Sequence, residues 1–210
     1  KQKLEQIAKD NEFSVEDLLA VFEKESSFDH TVKNPTSSGS GLIQFMAGTA
    51  KDLGTTTKAL RGMSVLDQLD YVDKYFKKNH KKGTHPYQTV ALPISKHFDL
   101  NESITGDSIH AKLPKNHPFI IANPTAKKAQ AKVDKWKNAN PVWVNQKTDE
   151  LTPASIVAYG GVSLNKDSVI EKQRLMFDAG LLGEDPRVID GAWGPNSRAA
   201  YAKYLNLPKV

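Results

Sequence analysis

Apolar residues recur at helical spacing through the first part of the chain. Leu4, Ile7 and Ala8 form a short stripe that stops near Asn11, and Val15, Leu18, Leu19 and Phe22 form a second behind Ser14. Ser14 can cap this second helix, with Asp17 three residues on to return the hydrogen bond. Ala47 to Leu53 reads as another helix, closed by Gly54. Ser64 and Asp67 open a longer one that places Val65, Leu69, Val72 and Phe76 on one stripe. Lys77, Lys78, Lys81 and Lys82 gather at its end before Gly83, where cations suit the helix dipole. His85 to Pro93 begins an apolar helix expected to end near Ile94.

Between the second and third helices, the turn-forming run from Asn34 to Ser40 flanks short segments that can pair as a small hairpin. From Asp99 to Glu150 the periodicity weakens, leaving one helical patch around Thr125 to Trp136. Thr152 and Pro153 then supply a cap and a first helical position. Gly160 to Lys166 reads as a linker. Beyond it, Asp167 or Ser168 caps a helix carrying Ile170, Gln173, Leu175, Met176 and Phe177 up to Gly180. Asp190-Gly191 and Gly194-Pro195 make tight turns around Trp193, and Asn196 or Ser197 starts a last helix. The expected fold is mostly α, of the α+β kind: a helical lobe with a small β-hairpin lobe over residues 1–160, and a small helical module over 161–210.

The 210 residues suffice for one good core and a second small unit. No apolar run approaches the roughly 20 residues needed to cross a membrane, so no membrane insertion is expected. The absence of cysteine excludes disulfides and thiolate chemistry. A net charge of +5 favours anionic partners in general, with peptidoglycan, nucleic acid and lipid surfaces all qualifying. The chain opens at Lys1 without an initiating Met or a charged-then-apolar leader. That fits a processed segment, or a bacteriophage enzyme carried in the particle or released at lysis.

The candidate chemistry centres on Glu25, seven residues after Leu18 and three after Phe22 and so at the edge of an apolar helix face. A carboxyl held against apolar neighbours resists ionising and can carry a proton to a leaving group at neutral pH. The alternative is a solvated last-turn acid beside Lys24. Gln44 offers a donor and an acceptor suited to a sugar N-acetyl or hydroxyl group, or else closes the hairpin. Gly39 and Gly41 let backbone approach a ligand closely. His97, His110 and His117 lack helix-face ligand spacing, so neither a metal site nor any cofactor is expected.

Glu25-Ser26-Ser27-Phe28, then Gly39-Ser40-Gly41-Leu42-Ile43-Gln44-Phe45-Met46, then Gly48-Thr49-Ala50, resemble the lytic transglycosylase family with the goose-type lysozyme-like fold. Ile43 stands where Met is usual and Ala47 where Pro is usual. The resemblance implies Glu25 as the catalytic acid, with Ser40, Gln44 and Phe45 facing substrate. Tyr87-x-x-Val90-x-x-Pro93 is similar to a segment of phage members of the group. Ala158-Tyr159-Gly160-Gly161 resembles the family's Ala-Tyr-Asn-Ala-Gly motif, so Tyr87 and Tyr159 compete for one place at the sugar. Gln173 with Asp190-Gly191-Ala192-Trp193-Gly194-Pro195 resembles the small helical peptidoglycan-binding domain, which implies wall contact through Gln173, Asp190, Gly191 and Trp193. Ser197 for Thr and Tyr204 near the place of a second Gln depart from that pattern.

The activity so implied is cleavage of the bond between N-acetylmuramic acid and N-acetylglucosamine in peptidoglycan, closing a 1,6-anhydro ring. Alternatives are a hydrolytic muramidase and a non-catalytic wall-binding or virion structural module. A DNA-binding protein rests on charge alone and no recognition motif supports it. Expected partners are peptidoglycan glycan strands and other virion proteins, not nucleic acid.

Overall fold

The computed structural model describes residues 1–145, 148–162 and 166–207, in which twelve α-helices carry nearly all the regular structure. Contacts divide the chain into two compact units, one of Lys1–Pro93 with Gly160–Leu164 and one of Ile94–Tyr159 with Asn165–Val210.

The first unit holds α1 (Gln2–Asn11), α2 (Val15–Ser26), α3 (Ala47–Asp52), α4 (Thr57–Gly62), α5 (Val65–Asn79) and α6 (Pro86–Ala91). The cap of α2 forms as the sequence implies, with Ser14 Oγ accepting from the Asp17 amide at 3.0 Å. Helix α1 packs on α2 and α5, and α2 packs on α6. Ile7, Leu18, Val21, Phe22, Phe45, Leu60, Val72 and Phe76 form the buried core. Phe13 closes one end, edge-on to Phe76 at 5.1 Å between ring centroids.

Three expectations change here. The hairpin is a single antiparallel bridge, Lys33 to Ser40, flanked by hydrogen bonds from Asn34 N to Gly39 O and from Gly41 N to Val32 O. The run between is consumed by an Asx turn, in which Asn34 Oδ1 accepts from the amides of Thr36 and Ser37. Val65 leaves the predicted stripe and is exposed on the first turn of α5, while Gln68 is buried instead. Helix α6 ends at Ala91, short of Ile94, because Pro93 has no amide to continue it and a 3-10 turn, Pro93–His97, follows.

The second unit holds α7 (Gly106–Lys112), α8 (Pro118–Ala122), α9 (Ala126–Ala139), most of α10 (Pro153–Gly160), α11 (Lys166–Asp178) and α12 (Pro195–Tyr204). Helix α9 buries Ala129 and Val133, and it packs on α7. The predicted cap at Thr152 forms, its hydroxyl accepting from the Ser155 amide. Of the expected linker, Gly160 ends α10 and Val162 is buried, while residues 163–165 lie outside the described residues. Helix α11 starts at Lys166, ahead of the expected Asp167 or Ser168 cap. Helix α12 starts at Pro195, whose fixed φ suits a first helical position, rather than at Asn196 or Ser197.

Candidate active site

Glu25 lies in the last turn of α2, half-buried. The chain leaves this helix through two consecutive left-handed residues, Ser27 at φ 51° and Phe28 at φ 65°. Gln44, in the facing loop, is left-handed too at φ 51°. Among the described residues five non-glycine positions have positive φ, and three of them belong to this motif. Such strain persists only where surrounding contacts over-determine the backbone.

Those contacts centre on Leu42. Its carbonyl accepts from the Ser26 hydroxyl at 3.1 Å, and its amide donates to Gln68 Oε1 at 2.6 Å. Gln68 is fully buried, and its Nε2 donates to the carbonyls of His30 and Leu60 at 2.9 and 2.8 Å. Gly41 is required beneath it, since it sits at φ +75° and a Cβ there would come 2.4 Å from Gln68 Oε1. The residue after Glu25 and the loop bearing Gln44 are thereby tied to α5.

Burial lifts the Glu25 carboxyl to about 7, opposed by a hydrogen bond from the Tyr87 side chain and by the charge of Lys24. Tyr87 is 2 % exposed and comes from α6. Its ring fits because residue 160 is glycine, where an added Cβ would sit 2.1 Å from Tyr87 Cζ. Tyr75 of α5 also feels the site: burial and the charge of Glu25 both drive its phenol well above the usual range. Its hydroxyl donates to the Thr89 carbonyl at 2.8 Å.

The remaining candidates fall into distinct places. Ser40 is fully buried, its hydroxyl accepting from Arg61 Nη1 at 2.6 Å. Phe45 is in the core, edge-on to Tyr75 with centroids 6.1 Å apart. Gln44 is half-buried, and its Nε2 donates to the Gly41 carbonyl at 3.1 Å. Tyr87 bonds Glu25. Tyr159 lies in the second unit, where the Arg198 guanidinium stands 5.9 Å over its ring.

Gln173, Asp190, Gly191 and Trp193 also lie in the second unit, and the first three are brought together. Gln173 is buried; its Nε2 donates to Asp190 Oδ1, the Ala192 carbonyl and Ser197 Oγ, and its Oε1 accepts from the Gly191 amide. The Gln173 hydrogen bond and the Ala192 amide hold the exposed Asp190 carboxyl below its usual range. The indole of Trp193 donates to the Ala158 carbonyl at 2.8 Å and meets Tyr201 edge-on. Among the described residues, no group of three His, Asp or Glu side chains could hold a metal ion.

Sequence reasoning missed Gln68, Tyr75, and a pair formed by Asp17 and His85. A signal existed for the first, because Gln68 precedes Val72 by four positions and so shares the apolar face of α5. A recess of about 110 Å³ lined by Thr49, Asp52, Leu53, Tyr75 and Lys78 opens in the first unit; Glu25 does not line it.

A half-buried carboxyl lifted toward neutrality, held by a buried tyrosine at the end of a helix, has the properties acid-base catalysis needs. Residues 3–91 match the family model described as the transglycosylase SLT domain, a span that takes in α1 to α6. The match covers less than half of the chain and indicates a peptidoglycan lytic transglycosylase enzyme domain over that span. No curated protein and no solved structure matches the chain. No described helix is long and apolar enough to cross a membrane.

Proposed function

We propose that the enzyme cleaves the β-1,4 bond between N-acetylmuramic acid and N-acetylglucosamine with Glu25 as both acid and base. The observation that carries this reading is the Glu25 carboxyl lifted to about 7 under the Tyr87 hydrogen bond, which lets it hold a proton at neutral pH and release it readily. In the first step the Glu25 proton goes to the glycosidic oxygen as the C1–O bond breaks. The N-acetyl carbonyl of the muramic acid stabilises the cationic C1. Glu25, now ionised and accepting from Tyr87, takes the proton of the 6-hydroxyl as that oxygen closes on C1. The acid is regenerated and no water is consumed.

The composition of the loop that bears Gln44 supports this route over hydrolysis by two carboxylates. From His30 to Lys51 the sequence has no Asp or Glu. The charge that acts on Glu25 is that of Lys24. A retaining glycosidase would hold a second carboxylate about 5–5.5 Å away, close enough to repel Glu25. Mass spectrometry of muropeptides released from purified sacculi tests the reading. It predicts fragments one water lighter than hydrolysed ends; reducing ends alone would make the enzyme a muramidase.

Around Glu25, the side chain of Gln44 is assigned to the sugar, while Ser40 and Phe45 hold the loop that presents it. The catalytic domain is assigned to residues 1–160 and a wall-binding module to 161–210, with Asp190 exposed on a loop that Gln173 shapes from beneath. The likeness of Tyr87-x-x-Val90-x-x-Pro93 to phage enzymes supports a place in a phage particle, or release at lysis, with the host wall as target.

A further inference from the structure

Helix α6 carries Tyr87, and its first turn is built in an unusual way. Pro86 has no amide and forces His85 into the extended conformation, φ −74° and ψ 135°. The first helical amide left to satisfy is that of Tyr87 itself, and it donates to His85 Nδ1 at 3.1 Å. Gln88 Oε1 accepts from the His85 amide at 3.0 Å, completing a capping box around the imidazole. Nδ1 can accept only while it carries no proton, so the proton of a neutral His85 belongs on Nε2. Nε2 is buried and lies 3.2 Å from Asp17 Oδ1, an ion-pair contact outside regular hydrogen-bond geometry.

Asp17 sits in the first turn of α2, and Glu25 in its last. The two helices are therefore joined twice, by Asp17 to His85 and by Glu25 to Tyr87. We infer that Asp17 and His85 are positioning residues for the reaction: Asp17 fixes the imidazole tautomer that caps Tyr87, and the cap holds the Tyr87 hydroxyl on Glu25. Burial raises the Asp17 carboxyl, but its contacts with His85 and Ser14 outweigh it and leave Asp17 below its usual range, so it stays ionised beside the imidazole. The inference rests on Glu25 being the catalytic acid. The groups facing Glu25 are Lys24 on α2, Tyr87 on α6 and Tyr75 on α5. Those at α6 are Asp17, His85 and, against Thr89, His80.

The test is the pH dependence of kcat/KM on sacculi for the full chain and its variants. Tyr87→Phe removes the bond that favours ionised Glu25, so it moves the alkaline limb upward by about one pH unit. His85→Ala should move the limb in the same direction and lower kcat by about tenfold with KM little changed. His85→Asn, whose side-chain oxygen can accept from the Tyr87 amide, should restore both. Asp17→Ala should act like His85→Ala, and the double variant should lose no more than either alone. A His85→Ala limb that stays at the wild-type position, or moves opposite to Tyr87→Phe, overturns the inference even if melting falls, as does failure of His85→Asn to restore it. Glu25→Gln in the same assay separates the two levels: residual turnover near wild type there would sink the catalytic reading itself, whatever His85 does.

Discussion

At the residue scale, the behaviour of Glu25 follows from a contest between burial and two stabilising neighbours. Burial wins and sets the carboxyl near 7, against 4.5 for an ordinary glutamate. An acid that must be protonated to start the reaction gives a rate that is highest below pH 7 and falls tenfold per unit above it, measurable as kcat/KM across pH 5 to 9. The same shift has a stability consequence. The folded chain holds this proton more tightly than the unfolded one, so the contribution is complete below pH 4.5 and lost as pH rises through about 7. Glu25→Gln should therefore be more stable than wild type at pH 8, by about 1–3 kcal/mol, and the gap should shrink toward pH 4.5. Thermal melts at the two pH values measure it. The placement of Glu25 on an apolar helix edge was legible from Leu18 and Phe22. Its tyrosine partner was not decidable, because Tyr87 and Tyr159 carry equal local signals and only packing chooses between them.

At the element scale, the loop from Gly39 to Phe45 owes its shape to α5 more than to itself. Gln68→Leu keeps the volume but strands the Leu42 amide and the carbonyls of His30 and Leu60. It should cost about 3 kcal/mol or more by denaturant unfolding. Gly160→Ala probes the other side of the site. The methyl collides with the Tyr87 ring, so kcat should fall about tenfold through displacement of the hydroxyl from Glu25. The cap and stripe of α2 and the end of α1 at Asn11 were readable, while the patch around Thr125 to Trp136 extends to Ala139 as α9. The pairing near Asn34 was overestimated because the Asx turn uses the amides a longer ladder would need. Helix α4 and helices α7 and α8 were not found, being too short for periodicity to register.

At the scale of the whole molecule, the family match ends where α6 ends, and residues 92–210 lie outside it. What organises the far end of the second unit is again a buried glutamine. Gln173→Leu leaves the Gly191 amide, the Ala192 carbonyl and Asp190 without their shared partner. It should cost about 2–4 kcal/mol and weaken co-sedimentation with sacculi by loosening the Asp190 loop. The turns around Trp193 were legible from their Asp-Gly and Gly-Pro pairs; that the indole donates to a carbonyl of α10 was not, since the two are 35 positions apart. The central claim remains the identity of the proton donor. Release of soluble muropeptides from purified sacculi by Glu25→Gln, with its fold verified by melting, tests it most directly. A fall of about 100-fold or more is the predicted result, and release within a few-fold of wild type by the folded variant would contradict it.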